Sequence, residues 1–234
     1  EVFNNVQSEK VQYGVVPIEN STEGGISRTL DLLLMKDLKI CGEITLPVHH
    51  CLISKSKDLK KITSIYAHGQ SLAQCHDWIA NNLPSAEKIT VLSNAEGAKI
   101  ASKVKYSAAI ASARAASIFK LNILQNHIED EPNNTTRFLI LSDQEISPSG
   151  NDKTSIVVAT KNKPGAIVDL IQPFASRKVS LTKLESRPSR IGMWEYVFFI
   201  DIEGHRDDSK IKLCLKDIEK KSSFMKFLGS YPKN

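Results

Sequence analysis

The chain has 234 residues, enough for one large domain or two modest ones, since domains run to about 100–150 residues. A hydrophobic share of 41% and a charged share of 24% fit a globular protein; no apolar run approaches the ~18 residues that span a bilayer, and the polar opening is no secretory signal. The net charge of +5 is spread along the chain instead of forming a basic stripe with interleaved aromatics, so neither a nucleic-acid nor a membrane partner is expected.

In chain order, residues 13–18 (YGVVPI) read as a strand, and residues 26–36 as an amphipathic helix through Ile26, Leu30, Leu33 and Leu34. Residues 39–48, 51–54 and 62–68 read as strands, and 71–82 as a helix. Then come a strand at 89–92, a helix at 95–104, a strand at 108–111, a helix at 113–119 and a strand at 137–141. The alternation predicts an α/β domain with largely parallel pairing, and ligand-binding loops beyond the strand ends at 19–25, 68–71, 93–96 and 133–137. Residues 142–153 (SDQEISPSGNDK) have little to bury and read as a linker, which divides the chain into regions 1–145 and 154–234.

The second region starts with a β-branched strand at 154–160, then a turn through Asn162, Lys163, Pro164 and Gly165. A helix at 166–176 follows, where Pro173 is expected to kink it or cost a hydrogen bond. A ragged strand at 179–186 and a strong one at 194–202 come next. Asp207 and Asp208 open a helix with Ile211, Leu215 and Ile218 on one face, and residues 224–228 form the last strand. The order βαββαβ is the ferredoxin-like arrangement.

Three segments carry candidate chemistry. Residues 19–25 (ENSTEGG) lie between a strand and a helix, and offer hydroxyls, an amide and backbone donors to an anion; they equally read as a helix start capped by Ser21 or Thr22. In residues 133–138 (NNTTRF), Thr136 offers a hydroxyl, Arg137 a bidentate carboxylate clamp and Phe138 a screen against water; the same stretch also reads as an Asn-rich turn before an ordinary strand. Residues 185–190 (ESRPSR) read as an exposed loop with a solvated ion pair, or as a zwitterion site with Gly165 closing over the ligand. Cys41, Cys51, Cys75 and Cys214 show no metal or disulfide spacing and read as free thiols in a reducing cytoplasm. His49, His50 and Cys51 are adjacent, but neighbours on a strand face opposite ways, so no metal is expected.

Taken together, GVVPIENSTEGGI (14–26), HGQSLAQC (68–75), SNAEGAKIA (93–101), AAIASARAA (108–116) and EDEPNNTTRFLIL (129–141) closely resemble the signatures of prephenate dehydratases. The stretches KPGAIVDLIQPFASRKVSLTKLESRPSR and WEYVFFIDIEGH resemble the ACT regulatory domain those enzymes carry. The resemblance implies a two-subdomain α/β catalytic domain, similar to type II periplasmic-binding proteins, with a cleft, followed by a ferredoxin-like ACT domain. It implies the conversion of prephenate to phenylpyruvate, carbon dioxide and water without a cofactor. Thr136, Arg137 and Phe138 are then catalytic, and Asn20, Ser21, His68, Gln70, Ser93 and Asn94 bind substrate. L-phenylalanine, as feedback inhibitor, would meet Gly165, Ala166, Ile167, Val168, Glu185, Ser186, Arg187 and Pro188 in a homodimer or homotetramer.

The chain departs from the family pattern in three places. No Gly-rich GTFS-like element precedes Val2 and Phe3, so part of the pocket is expected to lie in a missing start; a chorismate mutase domain is a further possible upstream neighbour. Asn94 stands where Thr is common, and Ser71 where Ala is common. Two rival readings are an arogenate dehydratase and a non-catalytic amino-acid sensor.

Overall fold

The computed structural model describes residues 1–160, 163–189 and 196–234, so Asn162, Arg190 and the start of the predicted 194–202 strand lie outside the described residues. The chain divides into two compact units, Glu1–Leu46 with Thr136–Asn234, and Pro47–Thr135.

The first unit opens with α1 (Val2–Gln7), which buries Phe3 and Val6 and was not legible as an amphipathic stretch because it is only two turns long. β1 (Gly14–Asn20), β2 (Gly24–Gly25), α2 (Ser27–Met35) and β3 (Lys39–Pro47) follow. In the second unit come β4 (Cys51–Ser54), β5 (Ser64–Ala67), α3 (Gly69–Gln74), α4 (His76–Asn82), β6 (Glu87–Thr90), α5 (Asn94–Ala101), β7 (Ser107–Ala111), α6 (Ala113–Phe119) and β8 (Asn122–Gln125). The chain returns to the first unit with β9 (Thr135–Ser142), β10 (Asp152–Ala159), α7 (Ala166–Ser176), β11 (Leu181–Pro188), β12 (Tyr196–Glu203), α8 (Ser209–Lys221) and β13 (Phe224–Pro232).

Two sheets build the first unit, in the orders β2-β1-β9-β3 and β11-β12-β10-β13. The second is the ferredoxin-like sheet, antiparallel throughout. Its central strands, β10 and β12, are buried on both faces, and alternation divides their side chains. Ile156, Val158, Phe198, Ile200 and Ile202 pack under α7 and α8, with Leu170, Phe174, Ile211 and Ile218. Val157, Val197, Phe199, Leu228 and Tyr231 face the other way and share a core with Val16, Ile18, Leu30, Leu33, Leu139 and Leu141. This shared core is why the ferredoxin-like region and the start of the chain form one unit. The Lys226 ammonium adds a polar tie: it donates to the Leu33, Leu34 and Lys36 carbonyls at the end of α2.

α7 continues through Pro173 without a break, so the ring costs its hydrogen bond but not the helix. Residues 142–153 are less loose than their composition suggests. The buried His205 ring bonds the Ile146 carbonyl at 2.9 Å, and Arg206 pairs with Glu145 at 2.8 Å.

The second unit is one five-stranded sheet, β6-β5-β7-β4-β8. β5 pairs in parallel with β6 and β7, whereas β4 runs antiparallel to both β7 and β8. The strands joined by helices therefore share one direction, as the alternation implied, but β4 is inserted against them. Together with the antiparallel β1–β9 pairing, this corrects the expectation of largely parallel pairing. An antiparallel strand needs no crossover helix, so nothing in the local pattern announces it. The sheet thus joins a parallel β6-β5-β7 run to an inserted antiparallel β4. β8 leaves no local signal because its four residues are half polar and half exposed. The predicted 71–82 helix is in fact two. It breaks at Cys75 because the Asp130 carboxylate accepts from the amides of Asp77 and Trp78, both at 3.0 Å, and so starts a second helix.

Gly97 lets α5 lie against β5, since a Cβ there would run into the Tyr66 carbonyl at 2.6 Å. All four cysteines are free thiols; burial pushes Cys75 up to about 12 and Cys214 to about 11, which leaves both inert. No helix among the described residues is long and apolar enough to cross a membrane.

Candidate active site

In the first unit the site is set by an irregularity in β1. Val16 pairs with Leu139 and Pro17 with Phe138, but the register then shifts, so that Glu19 pairs with Arg137 and Asn20 with Thr136. The bulge turns Asn20 onto the face carrying Thr136 and Phe138, and Glu19 onto the face carrying Arg137. Without it, alternation would place Asn20 in the core with Val16 and Ile18. The Asn20 side-chain oxygen accepts from the amides of Thr22 and Glu23 at 3.0 and 3.2 Å, which fixes the orientation of its amide group. Its nitrogen must then face outward, and it donates to the Thr136 hydroxyl oxygen at 3.0 Å. A hydroxyl that accepts such a bond keeps its own proton for another acceptor. Ser21 follows on the exposed turn, and Phe138 is half-buried on the same strand face as Thr136.

Arg137 points the opposite way. Its Nε donates to Glu43 at 2.7 Å, one terminal nitrogen to Asp201 at 2.7 Å and the other to the Tyr231 hydroxyl at 3.0 Å. Lys153 closes the cluster by donating to both Glu43 oxygens, and Ser155 bridges Asp201 and Tyr231. Burial alone would raise the Glu43 carboxyl, but Lys153 and Arg137 together hold it below its ordinary value. Burial pushes the Tyr231 phenol well up, so it stays protonated. The structure thus brings Thr136, Phe138 and Asn20 together and sets Arg137 apart, in a network whose members Glu43, Lys153, Asp201 and Tyr231 the sequence did not single out. They come from four other strands, at separations no local pattern spans.

The expected effector residues lie on two elements. Gly165 caps α7 at φ 81, a left-handed conformation that suits glycine; beyond it Ala166 is buried while Ile167 and Val168 are exposed. β11 alternates. Lys183, Glu185 and Arg187 face inward, whereas Leu184, Ser186 and Pro188 face outward. The inward row touches the start of the chain directly. Lys183 pairs with Glu19 at 2.8 Å and Glu185 at 2.9 Å, and Arg187 bonds Ser27 and Asp31 at 3.0 and 3.1 Å. The Glu185 carboxylate packs on Gly25, where any Cβ would collide with it. The ENSTEGG loop and the Glu185-Ser186-Arg187-Pro188 strand are therefore in contact.

In the second unit, His68, Ser71 and Asn94 meet beyond the ends of β5 and β6. Asn94 accepts from the His68 amide at 2.9 Å and donates to the Ser71 hydroxyl at 2.7 Å. The His68 ring accepts from the Gln70 amide and so caps α3. Ser93 caps α5 by accepting from Glu96, whose carboxylate reaches back to the Leu92 amide. Two helix starts with side-chain hydroxyls and amides suit an anion.

Elsewhere in this unit, His49, His127 and Glu129 converge, and their donor atoms lie within 4.8 Å of one another. Alternation separates adjacent residues, but His127 lies 78 positions from His49, beyond any local spacing. Burial would raise the Glu129 carboxyl, but the His50 amide and the two rings bring it down to about 2.

The family model for prephenate dehydratase matches residues 1–146, and that for the ACT domain matches residues 154–220. A bifunctional chorismate mutase/prephenate dehydratase of Pseudomonas aeruginosa is 49% identical over 234 residues, covering 100% of this chain and 64% of the relative's own length. A prephenate dehydratase of Methanocaldococcus jannaschii is 41% identical, covering 99% of this chain and 85% of the relative. Among solved structures, a prephenate dehydratase from Arthrobacter aurescens in complex with L-Phe is 34% identical with a TM-score of 0.88, covering 98% of this chain and 78% of that one. With a dehydratase model over more than half its length and an ACT model after it, the chain belongs to the prephenate dehydratase family, in the form that carries a C-terminal ACT domain.

Proposed function

We propose that the protein converts prephenate to phenylpyruvate and is inhibited by L-phenylalanine through its ACT region, with residues 1–145 as the catalytic domain and 154–234 as the regulatory one. The observation that carries this reading is the Asn20–Thr136 pair, which leaves the Thr136 proton directed at something other than Asn20. In the reaction the ring carboxylate leaves as carbon dioxide, its C–C bond electrons complete the aromatic ring, and the ring hydroxyl departs with its C–O pair. That hydroxide needs a hydrogen bond as its charge develops, and Thr136 supplies it. A Thr hydroxyl is too weak an acid to ionise fully, so it acts as a fixed dipole or as a relay for the proton that completes water. Phe138 screens the site, and Asn20 and Ser21 line it. In the second unit His68, Gln70, Ser93 and Asn94 bind substrate, with helix starts suited to a carboxylate. Arg137 reaches the retained carboxylate only by exchanging Glu43 or Asp201 for it; with its present partners it fixes β9, and Thr136 with it.

The assay is phenylpyruvate formation from prephenate by the full-length protein, with and without L-phenylalanine. Turnover suppressed by phenylalanine supports both assignments. Faster turnover of arogenate moves the substrate to the amino-acid analogue, and no turnover of either leaves a sensor.

For the effector, Gly165, Ala166, Ile167 and Val168 with Glu185, Ser186, Arg187 and Pro188 hold phenylalanine, in a homodimer or homotetramer. Exposed Ile167, Val168 and Leu184 supply apolar surface for such a contact. Glu185→Ala and Gly165→Val each relieve inhibition and spare basal turnover. The first removes a carboxylate suited to an ammonium group, the second forces a β-branched side chain into φ 81. Inhibition curves matching wild type in both variants would sink the site. The free thiols support a cytoplasmic location.

A further inference from the structure

We propose that His49, His127 and Glu129 form a site for one divalent transition-metal ion of the Zn²⁺ type. The His49 Nδ1 lies 2.8 Å from Glu129 Oε1, and the His127 Nδ1 lies 3.2 Å from each of those two atoms. Metal–ligand bonds of about 2.0–2.1 Å set neighbouring donors roughly 3 Å apart, so the triangle matches one face of a zinc coordination sphere. With a proton on each ring, both N–H groups donate to the one carboxylate oxygen; with both protons lost, three lone-pair donors turn toward one point. A single cation satisfies all three atoms.

The site is built, not incidental. The Glu129 side chain is 2% exposed, and its other oxygen accepts from the His50 amide at 2.8 Å, which aims Oε1 at the rings. His127 is held at φ 52, a left-handed backbone uncommon outside glycine, while Ile128 beside it is fully buried. The rings meet edge to face with centroids 4.4 Å apart and remain exposed to solvent, leaving room for water as further ligands. Two imidazoles and one carboxylate favour Zn²⁺, Co²⁺ or Ni²⁺ over Mg²⁺ or Ca²⁺, which prefer oxygen alone.

The ion would also cross-link the unit. His49 lies just after the chain enters at Pro47, and His127 and Glu129 lie just before it leaves at Thr135. The same segments already share bonds between Ile128 and His50, and between Val48 and Asn134. Metal would add a further tie, slowing backbone exchange at residues 47–50 and 127–134.

The test uses the full-length protein stripped with chelator, titrated with Zn²⁺ by calorimetry and with Co²⁺ by visible absorption. One ion per chain is expected, with cobalt d–d bands that Zn²⁺ abolishes and excess Mg²⁺ does not. His127→Asn, with a residue that tolerates left-handed backbone, and His49→Gln each weaken binding by about 10–100-fold, as loss of a ligand or its support does, and the double variant loses the site. Because both positions are exposed, these variants fold even where Glu129→Gln does not. A site that fills only at millimolar Zn²⁺, or equal binding by the double variant, overturns the proposal.

Discussion

Thr136→Ala in the full-length protein lowers kcat for prephenate by about 10²–10⁴-fold, the range of a positioned proton donor, and changes KM far less. This corresponds to about 3–5 kcal/mol of lost transition-state stabilisation. The split follows from timing, because the leaving oxygen carries its charge only at the transition state, so the hydrogen bond is strongest there. Thr136→Ser keeps the hydroxyl within reach of Asn20 and retains most of the rate. Asn20→Asp is the sharper control. A carboxylate there still accepts from the Thr22 and Glu23 amides, so the turn survives. It no longer donates to Thr136; instead it accepts the hydroxyl proton and draws it away from substrate. The variant therefore folds normally yet loses nearly as much kcat as Thr136→Ala. Steady-state kinetics with a circular-dichroism check decide the matter: an unchanged kcat in Thr136→Ala removes the residue from the mechanism, and an unimpaired Asn20→Asp removes the orienting role.

How far the sequence carries this picture depends on the range of each interaction. The βαββαβ order, the boundaries of α6 and β4 and the strand that presents Thr136 follow from local periodicity and turn chemistry, and all were legible. The direction of β4 was not, because an antiparallel insertion leaves no mark on its own residues. Neither was the break at Cys75, which depends on a carboxylate 53 positions from Asp77. The motif at 133–138 runs into the start of β9. Its neighbours Thr136 and Arg137 look like partners in one dimension, yet strand alternation sends them to opposite faces. The bulge after Pro17 then decides that Asn20 joins the first and Glu19 the second. The contact of Lys183 and Glu185 with the ENSTEGG loop was equally invisible, being a matter of which face of β11 packs inward. Under the proposed function, that contact would offer a short physical path from the proposed effector strand to the proposed substrate loop.

Arg137→Met destabilises the first unit by about 3–5 kcal/mol, the cost of removing one partner from a buried ion pair. Two carboxylates are left behind in poor solvent, since the Glu43 and Asp201 side chains are only 3% and 8% exposed. Glu43 keeps Lys153 at 2.8 Å and Asp201 keeps Ser155 at 2.5 Å, so the loss is large without being total. Arg137→Lys falls between, because an ammonium cannot serve Glu43, Asp201 and Tyr231 at once. The acid dependence follows from the lowered Glu43 value. Its contribution to stability is complete above the ordinary 4.5 and is lost as pH falls through the lower folded value. Without Arg137 the folded value climbs back toward the ordinary one, so the variant sheds its remaining Glu43 contribution at a higher pH than wild type. Urea unfolding across pH measures both effects, and hydrogen exchange locates them: amides of β9, β12 and β13 exchange faster in Arg137→Met, those of β5 and β7 do not. The double variant Arg137→Met/Asp201→Asn recovers part of the loss if the orphaned carboxylate is its cause. A single variant within about 0.5 kcal/mol of wild type would mean that solvent or substrate-side groups satisfy these carboxylates, and that Arg137 is free to serve as the carboxylate clamp.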